Sequence, residues 1–76
     1  MYNTRIMIGG LEKARSFVEM TNHYPKISIT LKSEEYAVDA HSIIGLLSLD
    51  LSRAIELEAD GENMDELIAD LQPYIV

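Results

Sequence analysis

Two segments of this chain alternate between apolar and polar residues, and they constrain the fold more than any other feature. They are residues 26–32 and 53–60. Every second residue is apolar in each: Ile27, Ile29 and Leu31 in the first, and Ile55, Leu57 and Ala59 in the second. A period of two is typical of a β-strand with one buried face and one wet face. Such strands indicate an antiparallel sheet that is covered on one side.

Two weaker strands are predicted beside them. Residues 2–8 form one, which ends at Gly9-Gly10, because consecutive glycines interrupt regular structure. Residues 35–40 form the other, with Tyr36 and Val38 on one face. Only a short turn separates this segment from the strand before it, so the two are predicted to pair as a hairpin.

Three helices are predicted around these strands. The first follows Gly10, with apolar residues at helical spacing: Leu11, Ala14, Phe17 and Val18. The second covers residues 43–49, and Ser42 is its predicted N-cap, because a serine hydroxyl accepts from a free backbone N–H of the first turn. The third is predicted to begin at Asn63, with Glu66 completing a capping box, and to end at Pro73. Its apolar stripe is Met64, Leu67, Ile68 and Leu71.

The predicted order β-α-β-β-α-β-α gives an α+β fold, with a four-stranded antiparallel sheet and its helices on one face. The 76 residues suit one small domain, residues 1–76. The absence of cysteine excludes disulfides and thiolate metal sites, and it favours the cytoplasm. A net charge of −7 argues against binding to nucleic acid and to anionic membranes.

The chain carries few residues suited to catalysis or metal binding. Its only histidines, His23 and His41, are not spaced as metal ligands, and no phosphate-binding glycine motif is present. Asp39, His41 and Ser42 can be written as a triad. Adjacent residues of an extended segment point to opposite sides, which argues against it. We therefore expect no enzymatic activity, no cofactor and no metal.

The predicted second helix is unusually apolar. Its apolar residues cover nearly all of its faces: Ile43, Ile44, Leu46, Leu47 and Leu49. In one interpretation all of these are core except Ile44, and a single exposed apolar residue is common. In the other, Ile44 with Leu47 forms an exposed patch for a protein partner.

Three segments resemble the bacterial phosphocarrier protein HPr of the sugar phosphotransferase system. HSIIGLLSL at residues 41–49 resembles a KSIMGLMSL-type segment, and AIELEADGEN at 54–63 resembles an EITLIADGED-type strand and turn. SFVEMTNHYPKISI at 16–29 resembles an LFVQTANKFNADI-type helix end and strand. The resemblance covers residues 17–71. It implies an open-faced β-sandwich: four antiparallel strands with three helices on one face.

The family's phosphorylated histidine is missing. That histidine lies in a GLHARPA-type motif at the start of the first helix. Counting back without gaps from Phe17 places Gly10 at the histidine and Glu12 at the arginine. Aligning Gly10-Leu11 with the motif's own Gly-Leu places Glu12 at the histidine. Neither register supplies a histidine, so the resemblance implies that the phosphocarrier role is lost.

A second family site is retained. Many Gram-positive HPr proteins are phosphorylated by a dedicated kinase on the serine that Ser42 matches. A phosphate there would lie at a helix N-terminus, which stabilises it by about 0.3–1 kcal/mol. The alternative is that Ser42 is only an N-cap. His41 replaces the lysine that usually precedes this serine.

The leading hypothesis is a non-catalytic protein that acts by contact through His41, Ser42, Ile43, Ile44 and Leu47. Phosphate on Ser42 would be its switch. Catabolite-repression paralogues of HPr lack the histidine, keep the serine and bind a transcriptional regulator. The expected partner is therefore a phosphotransferase-system component, a kinase or a transcriptional regulator.

Two alternatives remain open. One is a phosphoryl carrier that uses His41 or His23. The other is an accessory module that docks to a larger enzyme through the acidic row Glu56, Glu58 and Asp60. A solvated strand face is the simpler interpretation of that row.

Overall fold

The computed structural model describes residues 1–76, and its elements follow the predicted order. The strands are β1 (Tyr2–Ile6), β2 (Ser28–Lys32), β3 (Ala37–Asp39) and β4 (Ile55–Asp60). The helices are α1 (Leu11–Thr21), α2 (Ile43–Leu47) and α3 (Asp65–Leu71), and a 3₁₀ turn covers Gln72–Tyr74. None of the helices has the length and apolar content that crossing a membrane requires.

The four strands form one antiparallel sheet in the order β1-β4-β2-β3. The predicted hairpin of β2 and β3 is confirmed, with Leu31 opposite Val38. Its turn closes through Ser33, whose backbone N–H donates to the carbonyl oxygen of Tyr36 at 2.8 Å. β3 is shorter than the predicted strand, and Tyr36, predicted to share a face with Val38, is exposed at the end of this turn. The α+β fold class is confirmed.

One apolar core lies between the sheet and the helices. The alternating segments bury the predicted residues of β2 and β4, and each helix adds side chains from one face. The core cluster includes Ile29, Leu31, Ile55, Leu57, Ala59, Ala14, Phe17, Leu46, Leu67 and Leu71. Burying a large aliphatic or aromatic side chain contributes about 1.5–3 kcal/mol, so this layer fixes the helices against the sheet.

The prediction for the inner face of α1 is partly wrong. Ala14 and Phe17 are fully buried, but Leu11 is 60% exposed, and Val18 is only half-buried. Leu11 is the first residue of the helix and precedes the turn that packs on the sheet. Thr21 is buried instead, and its hydroxyl donates to the carbonyl oxygens of Val18 and Ala40 at 3.0 and 2.9 Å. Those bonds compensate for burying a polar group.

The predicted cap of α3 is wrong. Asn63 has a φ of +57°, and the N-cap is Met64, which makes no side-chain capping bond. An N-cap residue usually has extended backbone, whereas Asn63 is in the left-handed region that asparagine tolerates in turns. Asp65 and Glu66 lie in the first turn, where negative charge complements the helix dipole. The α-helix ends at Leu71, before Pro73, and the chain continues into the 3₁₀ turn.

The last residues return to the edge of the sheet, which the sequence patterns do not indicate. Ile75 forms an isolated bridge with Ile6, and the backbone N–H of Met7 donates to the carbonyl oxygen of Tyr74 at 2.8 Å. The ring of Tyr74 meets the ring of Phe17 edge to face, with 5.1 Å between centroids. The C-terminal residues are therefore tied to both the core and β1.

Candidate functional site

Ser42 begins the short helix α2 and caps it as predicted. Its backbone is extended, and its Oγ accepts from the backbone N–H of Gly45 at 3.2 Å. The residue is exposed, so the hydroxyl is accessible from solvent while it satisfies one of the free amides of the first turn. Phosphorylation of this hydroxyl stays a prediction.

The side chains of α2 divide between the core and the surface. Leu46 is fully buried and Leu49 is 6% exposed, whereas Ile44 is 81% exposed and Leu47 is 48% exposed. Ile43 is half-buried against the core. Leu47 therefore does not belong to the core, and two neighbouring large apolar side chains face solvent. This is the geometry that the partner-patch interpretation requires, and binding at it stays a prediction.

Gly10 occupies the N-cap position of α1. Its backbone is fully extended, it makes no side-chain capping bond, and its carbonyl oxygen accepts from the backbone N–H of Ala14 at 2.9 Å. A Cβ added at Gly10 would meet no atom within 4 Å. Glu12 lies exposed in the first turn. The start of the helix thus has space for a side chain but carries neither a histidine nor a cation at these two positions.

The start of α1 lies close to the segment after α2. The backbone N–H of Gly9 donates to the carbonyl oxygen of Leu51 at 2.7 Å, and the two helices contact each other. Gly9 has a φ of +86°, a conformation that favours glycine at this turn into the helix. Exposed Leu11 therefore stands at the same end of the molecule as α2. The sequence patterns assigned Leu11 to the core and so missed it as a candidate surface residue.

His41 lies in the turn between β3 and α2, and its ring is engaged at both nitrogens. Nδ1 lies 2.7 Å from Asp39 Oδ1, Nε2 lies 3.1 Å from the carbonyl oxygen of Tyr24, and the side chain is 19% exposed. Ala40 and His41 lie in a turn, in which the backbone N–H of His41 donates to Asp39 Oδ1, so the side chains of Asp39 and His41 meet. The expectation that the local trio points apart is wrong for this pair. It holds for Ser42, whose hydroxyl bonds Gly45 instead.

The contact with His41 changes the acidity of Asp39. The backbone N–H of His41 donates to Asp39 Oδ1 at 2.9 Å, and the imidazole adds a second bond to the same oxygen. Both bonds favour the carboxylate and hold the pKa of Asp39 below its usual 3.8. His41 is thus a positioned residue at the junction between β3 and α2. The spacing of two between acid and histidine was the sequence signal for it.

Tyr24 joins this junction to the last helix. Its hydroxyl donates to the carboxylate of Asp70 in α3. This hydrogen bond is the largest of the effects that raise the pKa of Tyr24 to about 12. No sequence pattern indicated this contact, because 46 residues separate its partners. His23, in the same loop, is exposed.

The acidic row on β4 is partly neutralised by neighbouring strands. Lys32 Nζ lies 3.0 Å from Glu58 Oε2, and Glu56 stands in register with Arg5 on one side and Lys32 on the other. Asp60 has no basic residue opposite it, since its partner across β2 is Ser28. No group of three or more acidic or histidine side chains is placed to hold a metal ion.

Comparison with protein families matches residues 11–76 to the family model described as the PTS HPr component phosphorylation site. Glu12, Ser42 and the apolar residues of α2 lie inside this match, and Gly10 lies immediately before it. Comparison with curated proteins gives no match.

Two solved structures resemble the chain over nearly its whole length. One is HPr-C-His from Thermoanaerobacter tengcongensis, at 27% identity and a TM-score of 0.77, covering 93% of this chain and 90% of that one. The other is a phosphocarrier protein HPr from Bacillus anthracis str. Ames, at 22% identity and a TM-score of 0.80, covering 99% and 96%. Both share the open-faced sheet with helices on one side.

Proposed function

This chain belongs to the HPr family of phosphocarrier proteins, which are not enzymes, and we propose that it is a member that acts by protein contact and does not transfer a phosphoryl group from histidine. Members of the family interact with components of the phosphotransferase system, so family membership supports protein partners in general. The finer proposal is that the contact surface consists of Ser42, Ile43, Ile44 and Leu47, with His41 beside it. The partner would be a transport-system component, a kinase or a transcriptional regulator.

The observation that carries the proposal is the exposure of Ile44 and Leu47 beside the hydroxyl of Ser42. Covering an isoleucine side chain contributes about 1.5–3 kcal/mol, so a partner that buries Ile44 gains affinity from it. Leu46 and Leu49 pack in the core and hold α2 in place. A rigid helix that presents apolar side chains suits recognition, because little conformational entropy is lost on binding.

The start of α1 supports the loss of phosphoryl carriage. Transfer from histidine requires a ring nitrogen that forms a phosphoramidate. Gly10 has no side chain, and the carboxylate of Glu12 cannot form that bond. Glu12 also places a negative charge in the first turn of the helix, where it repels phosphate. Either register of the family motif leads to the same conclusion.

Phosphoryl carriage by another histidine has little geometric support. A phosphate on either ring nitrogen of His41 would replace its bond to Asp39 or to Tyr24. It would also bring a dianion toward the Asp39 carboxylate, a repulsive arrangement. His23 is exposed, but no hydrogen bond or ion pair positions its side chain.

Docking through the acidic row of β4 also has less support. Lys32 is paired with Glu58, and Arg5 and Lys32 flank Glu56, so most of the row's charge is balanced within the sheet. Exposed pairs of this kind contribute about 0–1 kcal/mol, which is typical of a solvated strand face.

Incubation with HPr kinase and ATP, followed by mass spectrometry of peptides, tests the serine switch. We expect one phosphoryl group on Ser42 in the wild type and none in Ser42→Ala. Ser48→Ala is the matched control, because Ser48 is an exposed serine at the other end of the same helix. We expect it to be phosphorylated like the wild type. A wild-type chain that gains no phosphoryl group on Ser42 would contradict the switch.

The contact itself is tested by calorimetric titration of the chain into the same kinase without ATP. Ile44→Asp places a charge on the exposed patch and is expected to weaken binding at least about tenfold, which corresponds to the burial of one isoleucine. Val76→Asp, also at an exposed apolar residue, is the control. Equal affinity of both variants would contradict the assignment of the patch.

A further inference from the structure

The ring of His41 lies between two groups that can only accept hydrogen bonds. Its Nδ1 faces the carboxylate of Asp39 at 2.7 Å, and its Nε2 faces the carbonyl oxygen of Tyr24 at 3.1 Å. A neutral imidazole donates from one nitrogen only, whereas the imidazolium donates from both. Only the charged ring therefore satisfies both contacts at once. A neutral ring leaves a lone pair directed at an oxygen.

The two contacts join elements that are distant in sequence. Asp39 ends β3, whereas Tyr24 belongs to the loop after α1. The ring of His41, the residue immediately before Ser42, therefore connects the end of β3 to that loop. Two further bonds cross the same junction. The hydroxyl of Thr21 donates to the carbonyl oxygen of Ala40 at 2.9 Å. The side-chain amide of Asn22 donates weakly to the carbonyl oxygen of His41 at 3.4 Å. Neither depends on the charge of the ring.

We propose that His41 is a proton-dependent latch that fixes the start of α2 against the loop after α1. With the ring charged, both nitrogens donate and Ser42 begins the helix from a fixed position. When the ring loses a proton, one of the two contacts is lost, and the junction is held by the bonds of Thr21 and Asn22 alone. The latch deepens the proposed function, on which its biological meaning rests, because it would make the contact surface sensitive to pH.

The charges around the ring are few. Asp39 is the only charged group within bonding distance, and it comes from β3. Lys26 lines the same surface cleft from the loop before β2, and His23 belongs to the loop that contains Tyr24. Asp70 of α3 reaches the hydroxyl of Tyr24, and α2 itself contains no charged residue. Asp39 is thus the charged group in direct contact with the ring.

The latch is tested by nuclear magnetic resonance on ¹⁵N-labelled protein between about pH 5 and 8, the range in which histidines change charge. The parent is His23→Gln, which leaves one histidine. At low pH we expect two protected ring N–H signals. At high pH we expect loss of one of the two ring N–H signals. The chemical shifts of the backbone amides of Tyr24 and Ser42 should change over the same pH range as this ring signal. The protection factor of the Gly45 amide, which is the exchange rate of an unstructured chain divided by the observed rate at the same pH, should fall about tenfold, as expected from losing one hydrogen bond to a charged group.

Two variants in this background isolate the latch. His41→Gln cannot titrate and should abolish all of these pH-dependent changes. Asp39→Asn keeps an oxygen acceptor without its charge, and it should move the transition to lower pH. Amides of Tyr24 and Ser42 that do not change as the ring titrates would overturn the proposal. So would changes that persist in His41→Gln. No partner or kinase is present, so this result is independent of the phosphorylation and binding experiments.

Discussion

Ile44 and Leu46 lie two positions apart on α2 and have opposite surroundings. Ile44 is 81% exposed, and Leu46 is fully enclosed by the core. Their side chains are similar in size, so any difference in what they do reflects position in the fold. At this scale the molecule separates the residue that stabilises the helix from the residue that is available to a partner.

Substitution by alanine should reveal this separation. Leu46→Ala leaves a cavity and should lower the free energy of unfolding by about 2–5 kcal/mol, whereas Ile44→Ala should change it by less than about 0.5 kcal/mol. Urea unfolding followed by circular dichroism measures both. A large loss of stability in Ile44→Ala would mean that Ile44 packs on the domain and is not free to bind.

Asp39 gives a prediction about acid stability. Its pKa is lowered in the folded state, so its charge stabilises the fold above pH 3.8, and this contribution is lost as the pH falls through the lowered pKa. Wild type should exceed Asp39→Asn in stability by about 0.2–1 kcal/mol at pH 5, the range for an exposed charge pair. The difference should vanish as the pH falls toward 2. Asp60→Asn is the control, since Asp60 is exposed and has no basic residue opposite it.

At the scale of elements, the start of α1 lies beside the segment that follows α2, and the two helices contact each other. Hydrogen bonding from Gly9 to Leu51 joins them, and Leu11 on α1 and Ile44 and Leu47 on α2 are exposed apolar residues. The helix start has free backbone amides and open space at Gly10. Under the proposed function, we expect that the helix start lacks only the side chains that histidine-based phosphoryl transfer needs.

That difference predicts a gain of function. Gly10→His combined with Glu12→Arg supplies a ring at the N-cap and removes the charge that repels phosphate. The extended backbone of Gly10 is open to any residue. With phosphoenolpyruvate and the first enzyme of the system, we expect an acid-labile phosphate on the double variant and none on the wild type, detected by mass spectrometry at neutral pH.

Gly10→Ala with Glu12→Arg is its matched control, and it should remain unphosphorylated. An acid-labile phosphate on the wild-type chain would contradict the proposed loss of phosphoryl carriage. A folded double variant that takes up no phosphate would show that the helix start needs more than these two side chains.

At the scale of the whole molecule, charge is the dominant surface property. The chain carries 13 acidic and 6 basic residues, for a net charge of −7, on a body of 29 × 23 × 22 Å. Charges on so small a surface lie within one to three Debye lengths of each other at about 0.1 M salt, where that length is about 10 Å. Self-repulsion should therefore reduce stability at low salt.

Raising sodium chloride from low to moderate concentration should increase the free energy of unfolding, by an amount of the order of 1 kcal/mol, because screening weakens this repulsion. Thermal unfolding by calorimetry at neutral pH measures it. Glu62→Lys, at an exposed position in the turn before α3, should reduce the salt effect. A fall in stability with added salt would indicate that attractive pairs such as Lys32–Glu58 dominate instead.

The sequence by itself determined the element order, the sheet and the identity of the buried strand residues. Period-two alternation fixes which side of a strand is apolar, and helical spacing did the same for Ala14 and Phe17. It also predicted that no histidine stands at the family position, and it predicted the cap that Ser42 forms on α2. These conclusions depend only on neighbours along the chain, which sequence patterns report directly.

Only the tertiary structure decided which apolar residues of α2 and α1 remain on the surface. An apolar residue at a helix start or on an all-apolar helix has no local signal that separates core from patch, so Leu11 was assigned wrongly to the core and Leu47 was left open between the two. The contacts of His41 with Tyr24 and of Tyr24 with Asp70 join residues 17 and 46 positions apart. Their partners are set by how the elements pack on one sheet face, which no local pattern encodes.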